Sequence, residues 1–172
     1  NDGTDELINS LKNTINNLSF KIRKDKNSLP LSILEGIKYS NSEYVMWLDA
    51  DGSMTVKAMK KLIISYFENL QNDEKKVIIG SRFVEGGGYK GVKDVKNQSL
   101  LTSIQNVRKS NDSVFGMLLS ILINKILSFL FRTKLTDLTS GFIVIDKNFI
   151  DEKVFINKDY GEYFIYLLGD LI

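Results

Sequence analysis

The sequence predicts an α/β fold in which helices flank a largely parallel sheet. Short apolar runs typical of buried strands alternate with longer segments whose apolar residues recur every three or four positions. Hydrophobic residues make up 43% and charged residues 26% of the 172 residues, a balance typical of one globular domain. We therefore expect residues 1–172 to form a single domain.

The first half of the chain is predicted to alternate three helices with three strands. The predicted helices cover residues 7–18, 29–40 and 56–70, and the predicted strands cover residues 20–24, 44–48 and 76–83. In open α/β sheets, ligands bind at the carboxyl ends of the strands. Asp49, Asp51 and Arg82 occupy such ends and are the first candidates for a functional site.

The second half of the chain is less regular. Residues 89–113 are polar and lack a clear period, which predicts a mobile loop or an insertion. Residues 136–146 predict a loop that leads into a strand, and residues 159–172 predict another helix.

Residues 114–131 form a strongly apolar segment that carries one polar stripe. Ser120, Asn124 and Ser128 are spaced four residues apart, so they share one face of a helix. This pattern and Lys125 favour a helix that lies in a membrane interface, while a helix buried in the core is the alternative. Arg132 and the nearby Lys134 follow the segment and are suited to phosphate head groups.

The composition restricts the chemistry that the chain can perform. No cysteine is present, which excludes disulfides and thiolate metal sites, and no histidine is present to act as a general base. A bound metal would therefore need oxygen ligands, as Mg²⁺ or Mn²⁺ does. The net charge of +2 argues neither for nor against nucleic acid, which is not an expected partner. Because the sequence begins at Asn1 and ends in an apolar run, we expect it to be a piece of a longer protein.

Two carboxylates directly follow the apolar run 44–48. Asp49 and Asp51 are separated by one residue, and together they can chelate a divalent cation that offsets their mutual repulsion. Gly52 permits a sharp turn, and Ser53 can add a hydroxyl ligand. The alternative interpretation is a solvated turn without a ligand.

Five segments, in order, resemble glycosyltransferase family 2, and in particular its polyprenyl-phosphate branch, which is similar to dolichyl-phosphate mannose synthase. The segments are NDGT (1–4), WLDADGSM (47–54), GSRFVEGGG (80–88), DLTSGFIV (137–144) and YGEYFIYLL (160–168). The resemblance covers nearly the whole chain. It implies a GT-A-like, Rossmann-type fold with a mixed, mostly parallel sheet, and it implies sugar transfer from a nucleotide-sugar donor.

The resemblance also assigns roles to individual residues. Asp49, Asp51 and Ser53 would hold the metal on the donor diphosphate, Ala50 would lie against the nucleotide, and Asp2 would contact the nucleoside.

Arg82 would face the donor diphosphate or the acceptor phosphate. Asp137, Ser140 and Gly141 would border the acceptor pocket, with Arg132 as a further acceptor contact. Asp51, Arg82 and Asp137 are the candidate catalytic residues, and Arg108 is a weaker candidate for holding the phosphates.

Several of these residues have simpler interpretations. Arg82 could form an ordinary ion pair, Asp137 could brace Arg82, and Ser140 and Gly141 could form only a tight turn. Glu162 suits the start of a helix, since acidic residues are favoured near helix N-termini. Tyr163, Phe164 and Tyr166 are interpreted as packing residues, and Asp2 could be an N-cap.

The resemblance implies inverting, metal-dependent transfer to a polyprenyl or dolichyl phosphate. A phosphate acceptor is already an anion at neutral pH, so it needs no general base, which fits a chain without histidine. The expected location is the cytoplasmic face of a membrane, with peripheral attachment or anchoring by segments outside this sequence. Two alternatives remain: a family 2 enzyme with a glycan or other acceptor, and a degenerate domain that serves as a scaffold.

Overall fold

A computed structural model describes residues 3–24, 27–70, 77–84, 87–89, 92–93 and 114–172. The helices are α1 (Thr4–Lys12), α2 (Leu29–Tyr39), α3 (Val56–Leu70), α4 (Val114–Leu130) and α5 (Glu162–Leu171). The strands are β1 (Tyr44–Trp47), β2 (Val77–Ile79), β3 (Gly88–Tyr89), β4 (Val92–Lys93) and β5 (Ile143–Asp146). Two short 3₁₀ helices, Lys147–Phe149 and Glu152–Phe155, lie between β5 and α5.

The described sheet corrects the predicted strand directions. Its order is β1-β5-β2, and both pairings are antiparallel, with Trp47 and Ile79 each opposite Ile143. Strands β1 and β2 do run in the same direction, but β5 lies between them and runs in the opposite one. A mostly parallel sheet was therefore the wrong expectation for the part of the chain that the structure describes. The direction of β5 follows from the position of the segment before it. The chain enters β5 at the edge of the sheet where β1 and β2 end, so β5 runs back across the sheet in the opposite direction.

Two further predictions differ from the structure. Residues 20–24 were expected to form a strand but have no regular structure; instead Lys21 and Arg23 form ion pairs with Glu35 on α2. The apolar spacing over 7–18 continues past Lys12, where α1 ends. Within the predicted loop 89–113, Tyr89 pairs with Val92, and most of its other residues lie outside the described part of the chain.

Apolar side chains pack on both faces of the sheet, with β5 at the centre. Ile143 and Ile145 point to one face, while Phe142 and Val144 point to the other, as the alternation along a strand requires. The first face packs against α2, α5 and the 3₁₀ helix that contains Phe155, and the second packs against α3. Gly80 continues β2 beside this core, where a Cβ atom would lie 2.2 Å from Cδ1 of Phe142. A glycine is thus needed where the end of β2 lies beside the start of β5.

Helix α4 turns its polar stripe inward and its apolar residues outward. Asn124 is buried, and Ser128 donates a hydrogen bond to the carbonyl oxygen of Leu135 (2.6 Å). The exposed apolar residues of α4 are Phe115, Leu118, Leu119, Leu122, Ile123, Ile126, Phe129 and Leu130. This arrangement differs from an ordinary surface helix, whose polar side faces water. Among the described residues, no helix has both the length and the apolar character needed to cross a membrane.

Candidate active site

The strand register brings three sequence segments to one edge of the sheet. Strands β1 and β2 end beside Ile143, the first residue of β5. The Asp49–Ser53 segment follows β1, Arg82 follows β2, and the segment from Asp137 to Gly141 precedes β5. The antiparallel direction of β5 is therefore what places the third segment beside the other two.

The two carboxylates that follow β1 lie on a compact turn. Asp51 Oδ1 accepts a hydrogen bond from the backbone N–H of Ser53 (2.9 Å), and Gly52 has a left-handed backbone with φ of +76°. Asp49, Ala50 and Asp51 are all exposed. The solvated-turn interpretation describes the backbone correctly, and the turn presents two carboxylates at the surface.

The donor set of this turn fits a hard divalent cation that also binds a ligand. Among the described residues, no cluster of three or more histidine, cysteine, aspartate or glutamate side chains could hold a metal. The protein would contribute the carboxylates of Asp49 and Asp51 and the hydroxyl of Ser53. Mg²⁺ is commonly held in this way, by one or two carboxylates together with phosphate oxygens and water.

Arg82 and Asp137 form a two-point ion pair. Arg82 Nε donates to Asp137 Oδ2 and Arg82 Nη2 donates to Asp137 Oδ1, each over 2.8 Å. The backbone N–H of Arg82 also donates to Oδ2 (3.0 Å). The Asp137 side chain is completely buried, whereas that of Arg82 is 29% exposed. The aspartate thus fixes the arginine, and the arginine reaches the surface of the edge.

Two neighbouring groups further restrict Arg82. Its guanidinium carbon lies 5.3 Å from the ring centre of Phe83, within the range of a cation–π contact. Gly87 folds back over the same backbone, where a Cβ atom would lie 2.6 Å from the carbonyl oxygen of Ser81. The glycine-rich segment after Arg82 therefore allows a close backbone approach.

The remaining predicted site residues are distributed as follows. Ser140 Oγ accepts a hydrogen bond from the N–H of Phe142 (3.3 Å), and Gly141 has a φ of +66°, so they form a tight turn at the edge. Arg132 follows α4 in a left-handed conformation with φ of +50°, and it is exposed. Asp2 and Arg108 lie outside the described residues.

Tyr163 at the edge was interpreted from the sequence only as a packing residue. Its hydroxyl accepts a hydrogen bond from Trp47 Nε1 (3.0 Å), and its ring stacks on Phe155. Burial raises the pKa of Tyr163 to about 12, the Trp47 hydrogen bond opposes this shift, and the negative charge of Asp49 adds to it. The Trp47 hydrogen bond places the Tyr163 hydroxyl at the end of β1, and a Cβ atom at Gly141 would lie 4.0 Å from it. A tyrosine in an apolar segment indicates that its hydroxyl has a hydrogen-bond partner, but the sequence does not identify that partner.

Glu162 has the helix-starting role that the sequence predicts. Its carboxylate accepts hydrogen bonds from the backbone N–H groups of Asp159 (3.0 Å) and Tyr160 (3.1 Å). These backbone hydrogen bonds lower the pKa of Glu162. Glu162 thus stabilises the N-terminal end of α5 and the position of Tyr163.

We expect substitutions of Arg82 and of Asp137 to lower the free energy of unfolding by different amounts. Arg82→Met leaves a fully buried carboxylate without its cation, so we expect a loss of about 3–5 kcal/mol in the free energy of unfolding. Asp137→Asn leaves an arginine that can rehydrate, and the loss should be smaller. Urea unfolding measures both values. The matched control is the double variant Arg82→Met with Asp137→Leu, which removes both charges and should recover part of the loss; equal effects of the two single variants would contradict this account.

The raised pKa of Tyr163 predicts a stability loss at alkaline pH. The unfolded tyrosine ionises near its ordinary pKa of 10.0, while the folded one ionises near 12. The contribution of neutral Tyr163 to the free energy of unfolding is therefore complete below pH 10 and is lost as the pH rises toward 12. At pH 11 the loss is about 1.4 kcal/mol. Urea unfolding of the natural protein and Tyr163→Phe at pH 8, 10 and 11 should show a shallower decline for the variant. Parallel declines would exclude Tyr163 as a source.

A comparison with protein-family models identifies a match that covers most of this chain. Residues 1–153 match the family described as glycosyl transferase family 2. The matched region includes the Asp49–Ser53 turn, Arg82 and the Asp137–Gly141 segment. This family has a GT-A-like α/β fold, and its members commonly use divalent cations.

Proposed function

Since the chain belongs to glycosyltransferase family 2 and carries a glycosyl transfer domain that implies a nucleotide-sugar donor, we propose that its acceptor is a polyprenyl phosphate. The transfer inverts the anomeric centre and depends on a divalent cation. The observation that carries this proposal is the fixed, partly exposed Arg82 guanidinium at the edge that also presents Asp49 and Asp51. Such an edge suits two phosphate-bearing partners.

The donor occupies the Asp49–Ser53 side of the edge in this proposal. Asp49, Asp51 and Ser53 would hold Mg²⁺ or Mn²⁺, and Ala50 lies against the nucleotide. Asp2 contacts the nucleoside. The cation supplies charge stabilisation for the departing nucleoside diphosphate. The exposure of both carboxylates supports this assignment, because a diphosphate must reach them from solvent.

The acceptor phosphate binds on the Arg82 side, with Ser140, Gly141 and Arg132 around it. A phosphate oxygen forms the new bond to the anomeric carbon while the bond from that carbon to the nucleoside diphosphate breaks. No proton has to be removed, because the attacking oxygen is already ionised. The chain's own groups therefore act by orientation and charge, with Asp137 as the residue that positions Arg82.

The outer face of α4 supports a lipid acceptor and attachment to a membrane surface. Phe129 is 82% exposed and Phe115 is 73% exposed, and both belong to the apolar face described above. The basic residues Lys125, Arg132 and Lys134 are exposed nearby and suit anionic head groups. We propose that this membrane surface is the cytoplasmic face.

Substitution of the two carboxylates tests the donor site. Asp49→Asn and Asp51→Asn remove charge but keep shape, and we expect each to lower kcat/KM for sugar transfer at least 100-fold, since they act where charge develops. Transfer is measured with the intact parent protein, GDP- and UDP-sugars, polyprenyl phosphate and Mn²⁺, with and without EDTA. Asp170→Asn on α5 is the matched exposed control.

Three results of that assay would change the proposal. Unchanged transfer by Asp51→Asn or in EDTA would remove the metal site. Transfer to a glycan but not to polyprenyl phosphate would leave the family activity and replace the acceptor. Absence of transfer from either nucleotide sugar by the folded natural protein would favour a degenerate scaffold.

Liposome flotation tests the membrane contact. Removing one large apolar side chain from a lipid-buried face loses about 1.5–3 kcal/mol, so Leu122→Ser and Phe129→Ser should each lower partitioning about 10- to 150-fold. The vesicles contain phosphatidylcholine with phosphatidylglycerol. Val56→Ser, 63% exposed but on α3, should float like the natural protein. If all three variants float alike, α4 is not the membrane contact.

A further inference from the structure

The hydroxyl of Thr139 is a three-way junction beside Arg82. It accepts hydrogen bonds from Arg82 Nη2 (2.7 Å) and Asn124 Nδ2 (2.9 Å), and it donates to Asp137 Oδ1 (3.2 Å). A hydroxyl has one donor and two acceptor positions, so all three are used. Its orientation is therefore fixed by two remote parts of the chain and by Asp137 in its own segment.

Asn124 connects this junction to helix α4. Its side chain is 2% exposed, and its Oδ1 accepts a hydrogen bond from the backbone N–H of Leu138 (2.6 Å). Its Nδ2 donates to the carbonyl oxygen of Ser120 (2.9 Å) as well as to Thr139. The amide thus holds the backbone of the Asp137–Thr139 segment at a set distance from α4. The sequence places this asparagine on a polar stripe but does not reveal its partners.

We propose that Thr139 and Asn124 are positioning residues that set the plane of the Arg82 guanidinium for a phosphate. The proposal rests on the proposed function, because it takes Arg82 as the phosphate contact. Asp137 accepts from Nε and from Nη2, and this two-point pair fixes one edge of the guanidinium. Thr139 accepts from Nη2 at a second point outside that pair, and Asn124 prevents the Thr139 hydroxyl from turning away.

This role differs from simple stabilisation of the loop. Thr139 contacts no strand partner through its hydroxyl, and two of its three hydrogen bonds go to the two members of the ion pair. Loss of the hydroxyl should therefore change the kinetic constants for the acceptor phosphate more than those for the nucleotide sugar. A purely structural role would alter stability and leave the balance between the two substrates unchanged.

The decisive comparison is Thr139→Val against Thr139→Ser in the intact parent protein. Valine keeps the shape and removes the hydroxyl, while serine keeps the hydroxyl. Because hydrogen bonds to charged groups are the strong ones, we expect Thr139→Val to lower kcat/KM for polyprenyl phosphate about 10- to 100-fold. KM for the nucleotide sugar should stay within about twofold, and Thr139→Ser should recover most of the loss.

Asn124→Asp tests the second proposed positioning residue. The aspartate still accepts from the N–H of Leu138 but cannot donate to Thr139 or to the carbonyl oxygen of Ser120, and it buries a charge. The melting temperature is therefore measured beside kcat/KM for the acceptor, for which we expect an intermediate loss. Combined with Thr139→Val, it should add little, because both act through the same hydroxyl. Full additivity would show that Asn124 acts elsewhere.

Controls separate this inference from misfolding and from the proposed function. Leu62→Ala weakens the core on the α3 side, away from the edge, and should lower the melting temperature without a selective change in acceptor KM. If Arg82→Lys leaves acceptor KM unchanged, the proposed phosphate contact fails. If Arg82→Lys raises acceptor KM but Thr139→Val does not, or if valine and serine behave alike, only the inference fails.

Discussion

The buried charge of Asp137 is the constraint on which the arrangement of the candidate site depends. A carboxylate without access to water must be compensated by cations and hydrogen-bond donors. Five donors compensate the Asp137 carboxylate: the backbone N–H, Nε and Nη2 of Arg82, and the N–H and hydroxyl of Thr139. These contacts fasten the end of β2 to the segment before β5, so the loop that carries the ion pair cannot move independently of the sheet.

The direction of β5 makes this contact possible. If β5 ran parallel to β1 and β2, its preceding segment would lie at the opposite edge, and Asp137 could not approach Arg82. The antiparallel register instead sets Ile143 beside Trp47 and Ile79, so that three strand ends share one edge. The hydrogen bond from Trp47 to Tyr163 then joins α5 to the same edge. The site is thus a product of topology, since its members come from distant parts of the chain.

The sequence predicts the parts of this site that depend on local order. Asp49 and Asp51 follow an apolar run, and the helices over 29–39, 56–70 and 114–130 have clear apolar spacing. Strand direction was not predictable in this way, because a four-residue buried strand has the same pattern in either direction. The prediction of a strand over 20–24 was wrong for a related reason. The residue pattern is typical of a strand, but it does not indicate a neighbouring strand with which these residues could pair. Tyr163 and Thr139 were missed because their partners are remote in sequence.

Helix α4 relates the edge to the proposed membrane surface. An exposed apolar face is unfavourable in water by roughly 25 cal/mol for each Å² that a cover would bury, so this face favours an apolar cover. The opposite face carries Asn124, which reaches the Arg82–Asp137 pair through Thr139. In the proposed function, one helix therefore has a lipid-facing side and a side that orders the phosphate contact. A polyprenyl phosphate has the same two parts, an apolar tail and an anionic head, and a helix with this division can keep the tail in lipid while the head reaches the guanidinium.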